Sequence, residues 1–156
     1  MNEYFDKMIE VVFKYNGTLD KIIGDALMVI YGAPISSHND AERALLTAIE
    51  MQQKLEELNM IRMTRGQAPL EIGIGLNTGR VISGNIGSKV QMNYTVIGDA
   101  VNLSSRLCSF AKAGQIIVSG SVFSALKNKS NFAVRELILI QVKGKEDAVN
   151  VFEVTY

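Results

Sequence analysis

One cysteine, one histidine and no net charge define this 156-residue chain by what they remove. Cys108 alone allows neither a disulfide framework nor a thiolate zinc site. Within a helical pattern it reads as a small buried hydrophobe. His38 lies in the turn-like run Pro34 to Asn39 and reads as a solvated loop residue. Ser-His-Asp and Cys-His catalysis therefore have no material to work with. Sixteen basic and sixteen acidic side chains cancel, so no global field draws the chain to nucleic acid or to an anionic membrane. Apolar runs such as Leu137 to Ile140 fall far short of the roughly 20 residues of a membrane span. Asn2, Glu3 and Asp6 do not open a signal peptide. A cytoplasmic setting is expected, with no membrane contact and no nucleic-acid partner for this domain.

What remains is 47% hydrophobic and 21% charged, the profile of one globular domain over residues 1–156 with a core of its own. Phe5, Met8, Ile9, Val12 and Phe13 recur at helical spacing, and Asn16-Gly17 stops them. Thr18 to Ile23 and Ala26 to Tyr31 read as strands of a hairpin with Gly24-Asp25 at its tip. Asp40 caps a helix whose apolar face runs from Ala41 to Leu55, and Met60 to Pro69 reads as a loop. Leu70 to Leu76 alternates with Gly73 and Gly75 as a glycine-rich strand. Further strands are expected near Val81 to Ser83, Asn93 to Ile97 and Gln115 to Val118. Helices are expected over Asp99 to Ala113 and Ser121 to Lys127, and two strands flank Lys143 to Lys145 in the tail.

The chemistry concentrates in two segments. Tyr94 to Arg106 is a glycine turn feeding a helix that carries Asn102 and Arg106. Four residues is about one helical turn, so amide and guanidinium project from one face. Such donors suit a phosphate or a developing oxyanion. Lys21 to Asp25 adds a cation and a carboxylate at the edge of an apolar strand. Each residue has a plain reading by itself: Asp25 as a hairpin tip, Lys21 as a solvated strand residue, Arg106 as a surface ion-pair partner and Asp99 as a helix cap. Arg62, Arg65, Arg80 and Lys89 read as solvent-facing charges, and the methionines as core or loop filler. Gly79 to Gly84 has the spacing of a phosphate loop but lacks its Lys-Ser/Thr.

Taken together in order, these segments resemble the catalytic domain of class III nucleotidyl cyclases. Lys21 to Asp25 and Tyr94 to Arg106 are similar to its two signature segments; Gly73 to Gly79 and Gly84 to Ser88 are similar to its central strand and hairpin. Val142 to Lys145 matches as well. The resemblance implies an α+β fold, a ferredoxin-like βαββαβ-type antiparallel sheet with helices packed on it. It implies conversion of ATP to 3′,5′-cyclic AMP and pyrophosphate in a homodimer with shared active sites. Asp25 would be one of two aspartates holding two divalent metal ions, Mg²⁺ or Mn²⁺. Asn102 would orient the ribose and Arg106 would stabilise charge on the transferring phosphoryl. Lys143, with Lys145 nearby, would bind the triphosphate. Lys21 and Thr95 match the residues that choose the base. An ammonium is a donor without an acceptor and suits adenine N1, while the Thr95 hydroxyl can accept from the adenine amino group. This Lys/Thr pairing resembles that of bicarbonate-responsive bacterial and soluble adenylate cyclases. The competing classes are a guanylate cyclase, a non-catalytic dimerisation or nucleotide-sensing module on the same fold, and an RNA-binding ferredoxin-like domain. Zero net charge and Gly- and Ile-rich strands speak against the last.

The family's first metal aspartate lies on an opening strand, and no matching segment precedes the first helix here. Asp6 sits in a helix pattern, and alternation along the strand would project Asp20 opposite to Lys21. With one carboxylate of the pair, the 156-residue chain is expected to be inactive or nearly so. Cyclic AMP production by this chain and by one extended upstream should differ sharply; equal production would contradict the expectation.

Overall fold

The computed structural model describes residues 2–88, 91–140 and 148–156. The first helix, α1 (Asn2–Lys14), turns Tyr4, Met8, Val11 and Val12 to one side, as apolar residues at helical spacing should. Asn16, at a left-handed φ of 54°, ends it. This stripe packs on Met51, Leu55 and Leu58 of α2 (Asp40–Thr64). The second helix therefore runs through the loop expected from Met60. Leu58 continues the buried stripe, and no helix breaker occurs before Gly66, where φ is 68°. The Gly66 and Gln67 N–H groups return to the carbonyls of Met63 and Arg62, closing the helix. At the other end Asn39, not Asp40, takes the cap position. The Asp40 carboxylate instead accepts from the Ser36 hydroxyl (2.9 Å) and the Ser37 N–H (2.8 Å) and pairs with Arg43.

Two antiparallel ribbons stand beside a four-stranded sheet. One ribbon is β1 (Thr18–Ile23) with β2 (Ala26–Ile30), turning at Gly24-Asp25 as the sequence predicts. The sheet contains β3 (Ile74–Leu76), and the other ribbon pairs β4 (Ile82–Gly87) with β5 (Met92–Ile97). Next come α3 (Asp99–Phe110), β6 (Ile116–Ser119), α4 (Gly120–Ala125), β7 (Ala133–Ile140) and β8 (Val149–Thr155). The sheet order is β3-β6-β8-β7. The α+β class stands, with helices packed on a mainly antiparallel sheet. The β3–β6 pair runs parallel, with α3 in the crossover between them.

Only the last three residues of the expected 70–76 strand pair in the sheet. Upstream, the Leu70 N–H and carbonyl bond the Asn59 side chain at 2.7 and 2.8 Å, and Gln52 Nε2 donates to the Ile72 carbonyl at 3.1 Å. Polar side chains of α2 thus satisfy backbone groups that a neighbouring strand would otherwise take. Arg62 likewise donates to the Ala68 carbonyl, and Arg65 pairs with Glu3. Met8 and Met51 are buried, whereas Met60, Met63 and Met92 are exposed. Among the described residues no helix is long and apolar enough to cross a membrane.

The core centres on β6, buried along its whole length. Ile116 and Val118 face Leu45 and Ala48 of α2, while Ile117 faces Leu103 and Leu107 of α3. An uninterrupted apolar run is what a strand covered on both faces needs. The third helix lies unusually close to β3. A Cβ on Gly75 would lie 2.2 Å from the Cys108 backbone nitrogen, and one on Gly73 2.5 Å from the Ala111 carbonyl oxygen. Gly98, at φ 148°, provides the turn from β5 into α3 and takes the cap position expected of Asp99. Cys108 is exposed rather than buried, because Leu103 and Leu107 occupy the sheet-facing stripe one position away. Its Sγ lies 3.5 Å from the Gly73 carbonyl. Gly75→Ala should therefore cost about 1–3 kcal/mol by overpacking this seam. Denaturant unfolding measures it, and unchanged stability would show that the helix can withdraw freely.

Candidate functional site

The β1–β2 register slips between Leu19 and Lys21: Leu19 opposes Val29, yet Lys21 opposes Met28. That bulge places Asp20 and Lys21 where regular pairing would hold one residue, and it breaks the alternation that would send them to opposite faces. The expectation that Asp20 projects away from Lys21 is thereby corrected. The Asp20 side chain is 2% exposed, and its Oδ2 lies 3.2 Å from Lys21 Nζ. Thr95, buried on β5, donates its hydroxyl to the same oxygen at 2.8 Å. Lys21 Nζ in turn donates to Thr95 Oγ1 at 3.0 Å. Carboxylate, ammonium and hydroxyl form a closed triangle tying the first ribbon to the second. Lys21 remains partly open to solvent, with 43% of its side chain exposed.

Asn102 and Arg106 sit one turn apart on an exposed face of α3, beside the buried stripe of Leu103 and Leu107. The close seat of the helix on Gly73 and Gly75 fixes the height at which that face stands above the sheet. Among the described residues, neither the Asn102 amide nor the Arg106 guanidinium has a side-chain hydrogen-bond or ion-pair partner. Both are available to a ligand, and a planar guanidinium fork matches the oxygens of a phosphate.

Asp25 is exposed at the β1–β2 tip. Burial, with a smaller contribution from this carboxylate, pushes the Tyr4 phenol above its usual value. Among the described residues Asp25 makes no hydrogen bond or ion pair, so its oxygens are open to a hard cation. No group of three or more potential His, Cys, Asp or Glu ligands occurs among the described residues. Lys143 and Lys145 lie outside the described residues.

The structure thus brings Lys21 to Thr95 and sets Asn102 and Arg106 on one face. Among the described residues, no hydrogen bond or ion pair joins Asp25 to any of them. Two shallow depressions flank the start of α3. One is lined by Arg80, Val81, Ile82, Ile97 and Gly98; the other includes Asn77, Arg80, Asp99 and Ser121. Neither contains Lys21, Thr95, Asn102 or Arg106. Sequence reasoning missed Asp20. The signal was present in two adjacent polar residues, Asp20 and Lys21, inside an otherwise apolar strand, where strict alternation would leave one facing the wrong side.

Comparison with known proteins gives the family and the fold. Residues 1–154 match the family described as the adenylate and guanylate cyclase catalytic domain. Adenylate cyclase 1 of Rhizobium meliloti is 31% identical over 156 residues, covering 99% of this chain. The chain spans 23% of the length of that relative. Among solved structures, the adenylyl cyclase CyaB from P. aeruginosa superposes with a TM-score of 0.93 at 37% identity, covering 99% of this chain and 80% of that one. The guanylyl cyclase Cya2 superposes at 0.89 with 40% identity, covering 98% and 77% respectively. Overall likeness reaches both kinds of cyclase, so base choice has to be argued from individual side chains.

Proposed function

The chain belongs to the adenylate and guanylate cyclase catalytic domain family, and from that premise we propose that it is an adenylate cyclase domain. Such a domain converts ATP to 3′,5′-cyclic AMP and pyrophosphate at sites shared by two copies in a head-to-tail homodimer, in the cytoplasm. The observation that carries the choice of ATP is the Lys21–Thr95 contact of 3.0 Å. An ammonium donates to the bare N1 of adenine but cannot accept the N1–H of guanine. The likeness to the guanylyl cyclase Cya2 makes GTP the competing substrate, and this donor pattern disfavours it.

In the reaction the ribose 3′-oxygen forms a bond to the α-phosphorus, its proton is released, and the bond to the bridging oxygen of pyrophosphate breaks. Lys21 and Thr95 hold the purine edge. Asn102 orients the ribose so that its 3′-oxygen stands in line. Arg106 offers N–H groups to the oxygens on which negative charge grows. Lys143 and its neighbour Lys145 neutralise the triphosphate. Electrostatic stabilisation of this kind is the largest single contribution in most such sites.

Asp25 fits as a ligand for Mg²⁺ or Mn²⁺: it is an exposed oxygen donor with no partner among the described residues. It would be one protein ligand, with phosphate oxygens beside it. Two such ions, when bound, polarise the phosphoryl group and favour the ionised 3′-oxygen. Among the described residues no hydrogen bond or ion pair joins Asp25 to the Lys21–Thr95 pair or to the Asn102–Arg106 face, so a second copy placed head to tail would supply the carboxylate to them.

Arg106→Ala should lower kcat by roughly 10²–10³, about 3–4 kcal/mol of transition-state stabilisation. Its exposure predicts an unchanged thermal midpoint. The measurement is cyclic AMP formation by the full-length protein. Undiminished kcat in that variant would end the assignment.

A further inference from the structure

Thr95 is buried between a group that can only accept and a group that can only donate. A carboxylate offers lone pairs and no proton; an ammonium offers protons and no lone pair. Asp20 Oδ2 at 2.8 Å therefore takes the hydroxyl proton, and Lys21 Nζ at 3.0 Å takes one of the oxygen's lone pairs. The rotor has no other consistent setting. One lone pair of Thr95 remains, and it can only accept.

Lys21 is constrained in the same way. Of its three N–H donors, one is directed at Thr95 and one at Asp20 (3.2 Å), leaving one for the open side. The pair thus presents one acceptor and one donor. That is the complement of a purine with a 6-amino donor and a bare N1 acceptor. A 6-oxo purine has the opposite order: its N1–H would meet the Lys21 ammonium and its carbonyl would meet a hydroxyl with no proton to give.

We infer that Asp20 is a positioning residue for base selection: by holding the Thr95 proton it makes that hydroxyl an obligate acceptor and so rejects 6-oxo purines. Without Asp20 the hydroxyl could turn its proton outward and serve either base edge. A buried carboxylate is costly to retain unless it is paired. Here its partners are the two base-facing side chains, the adjacent Lys21 and Thr95, which lies 75 residues from Asp20 in sequence. The inference rests on the ATP reading above and adds the group that enforces it.

The test uses equilibrium binding of ATP and of inosine triphosphate, which carries the 6-oxo group and no 2-amino group, to the full-length protein. The unaltered chain should prefer ATP. Asp20→Leu removes the acceptor at similar volume and should reduce that preference about tenfold, the scale of one hydrogen bond's discrimination. Thr95→Val should reduce it comparably, and adding Asp20→Leu to Thr95→Val should change it no further, because the effect travels through the hydroxyl. An undiminished preference in Asp20→Leu, or a full additional loss in the double variant, overturns the inference while leaving the ATP reading in place. No preference for ATP in the unaltered chain overturns both. Should Asp20→Leu fail to fold, proton NMR of the unaltered chain decides. A slowly exchanging Thr95 hydroxyl proton close to Asp20 supports the inference, and a rapidly exchanging one overturns it.

Discussion

A single buried hydroxyl, held between a carboxylate and an ammonium, joins the two ribbons that flank the main sheet. Because β1 carries a bulge at Asp20, two consecutive side chains reach Thr95 from one strand. The arrangement leaves the lysine half in solvent and the aspartate almost wholly out of it. Neither charge is isolated, which is what allows a carboxylate to remain in the interior. The proposed base site follows from this contact: a donor and an acceptor, side by side, at the open edge of the ribbons.

The half that carries Asn102 and Arg106 is held by packing and by a few hydrogen bonds, among them Ser104 Oγ to the Gly75 carbonyl at 3.2 Å. Its helix, α3, is anchored by Leu103 and Leu107 against β6 and β8, and it sits on two glycines of the β3 segment. Any side chain at Gly75 would displace it. Asn102 and Arg106 therefore stand at a height set by backbone contact, with exposed polar ends. The turn at Gly98 couples the halves, since only two residues separate Thr95 from it and α3 begins immediately after. The distance between the Lys21–Thr95 pair and the Asn102–Arg106 face is thus set by one strand end and one helix start.

Much of this was legible in the sequence because local rules and global fold agree. The Gly24-Asp25 hairpin, the amphipathic first helix and the Asn102–Arg106 spacing all follow from period and turn chemistry. What escaped has physical causes. A bulge has no strong sequence mark, so alternation misplaced Asp20. Side chains Asn59 and Gln52 took the hydrogen bonds of Leu70 and Ile72, which patterning had assigned to a strand. The length of α2 was underestimated because its stop signal, Gly66, lies beyond Arg62 and Arg65, which read as loop. Cys108 faces outward because helical phase, not residue type, decides burial. Lys143 lies outside the described residues, so its role stands on family resemblance alone.

The central claim is that the Lys21–Thr95 edge reads adenine while Arg106 faces the phosphoryl group under attack. A crystal structure with a non-cyclisable ATP analogue and Mn²⁺ tests it most directly. The account predicts the purine N1 at Lys21 Nζ, the 6-amino group at Thr95 Oγ1 and the α-phosphate between Arg106 of one copy and Asp25 of another. A purine lodged away from Lys21, or a triphosphate bound within one copy and remote from Arg106, would contradict it.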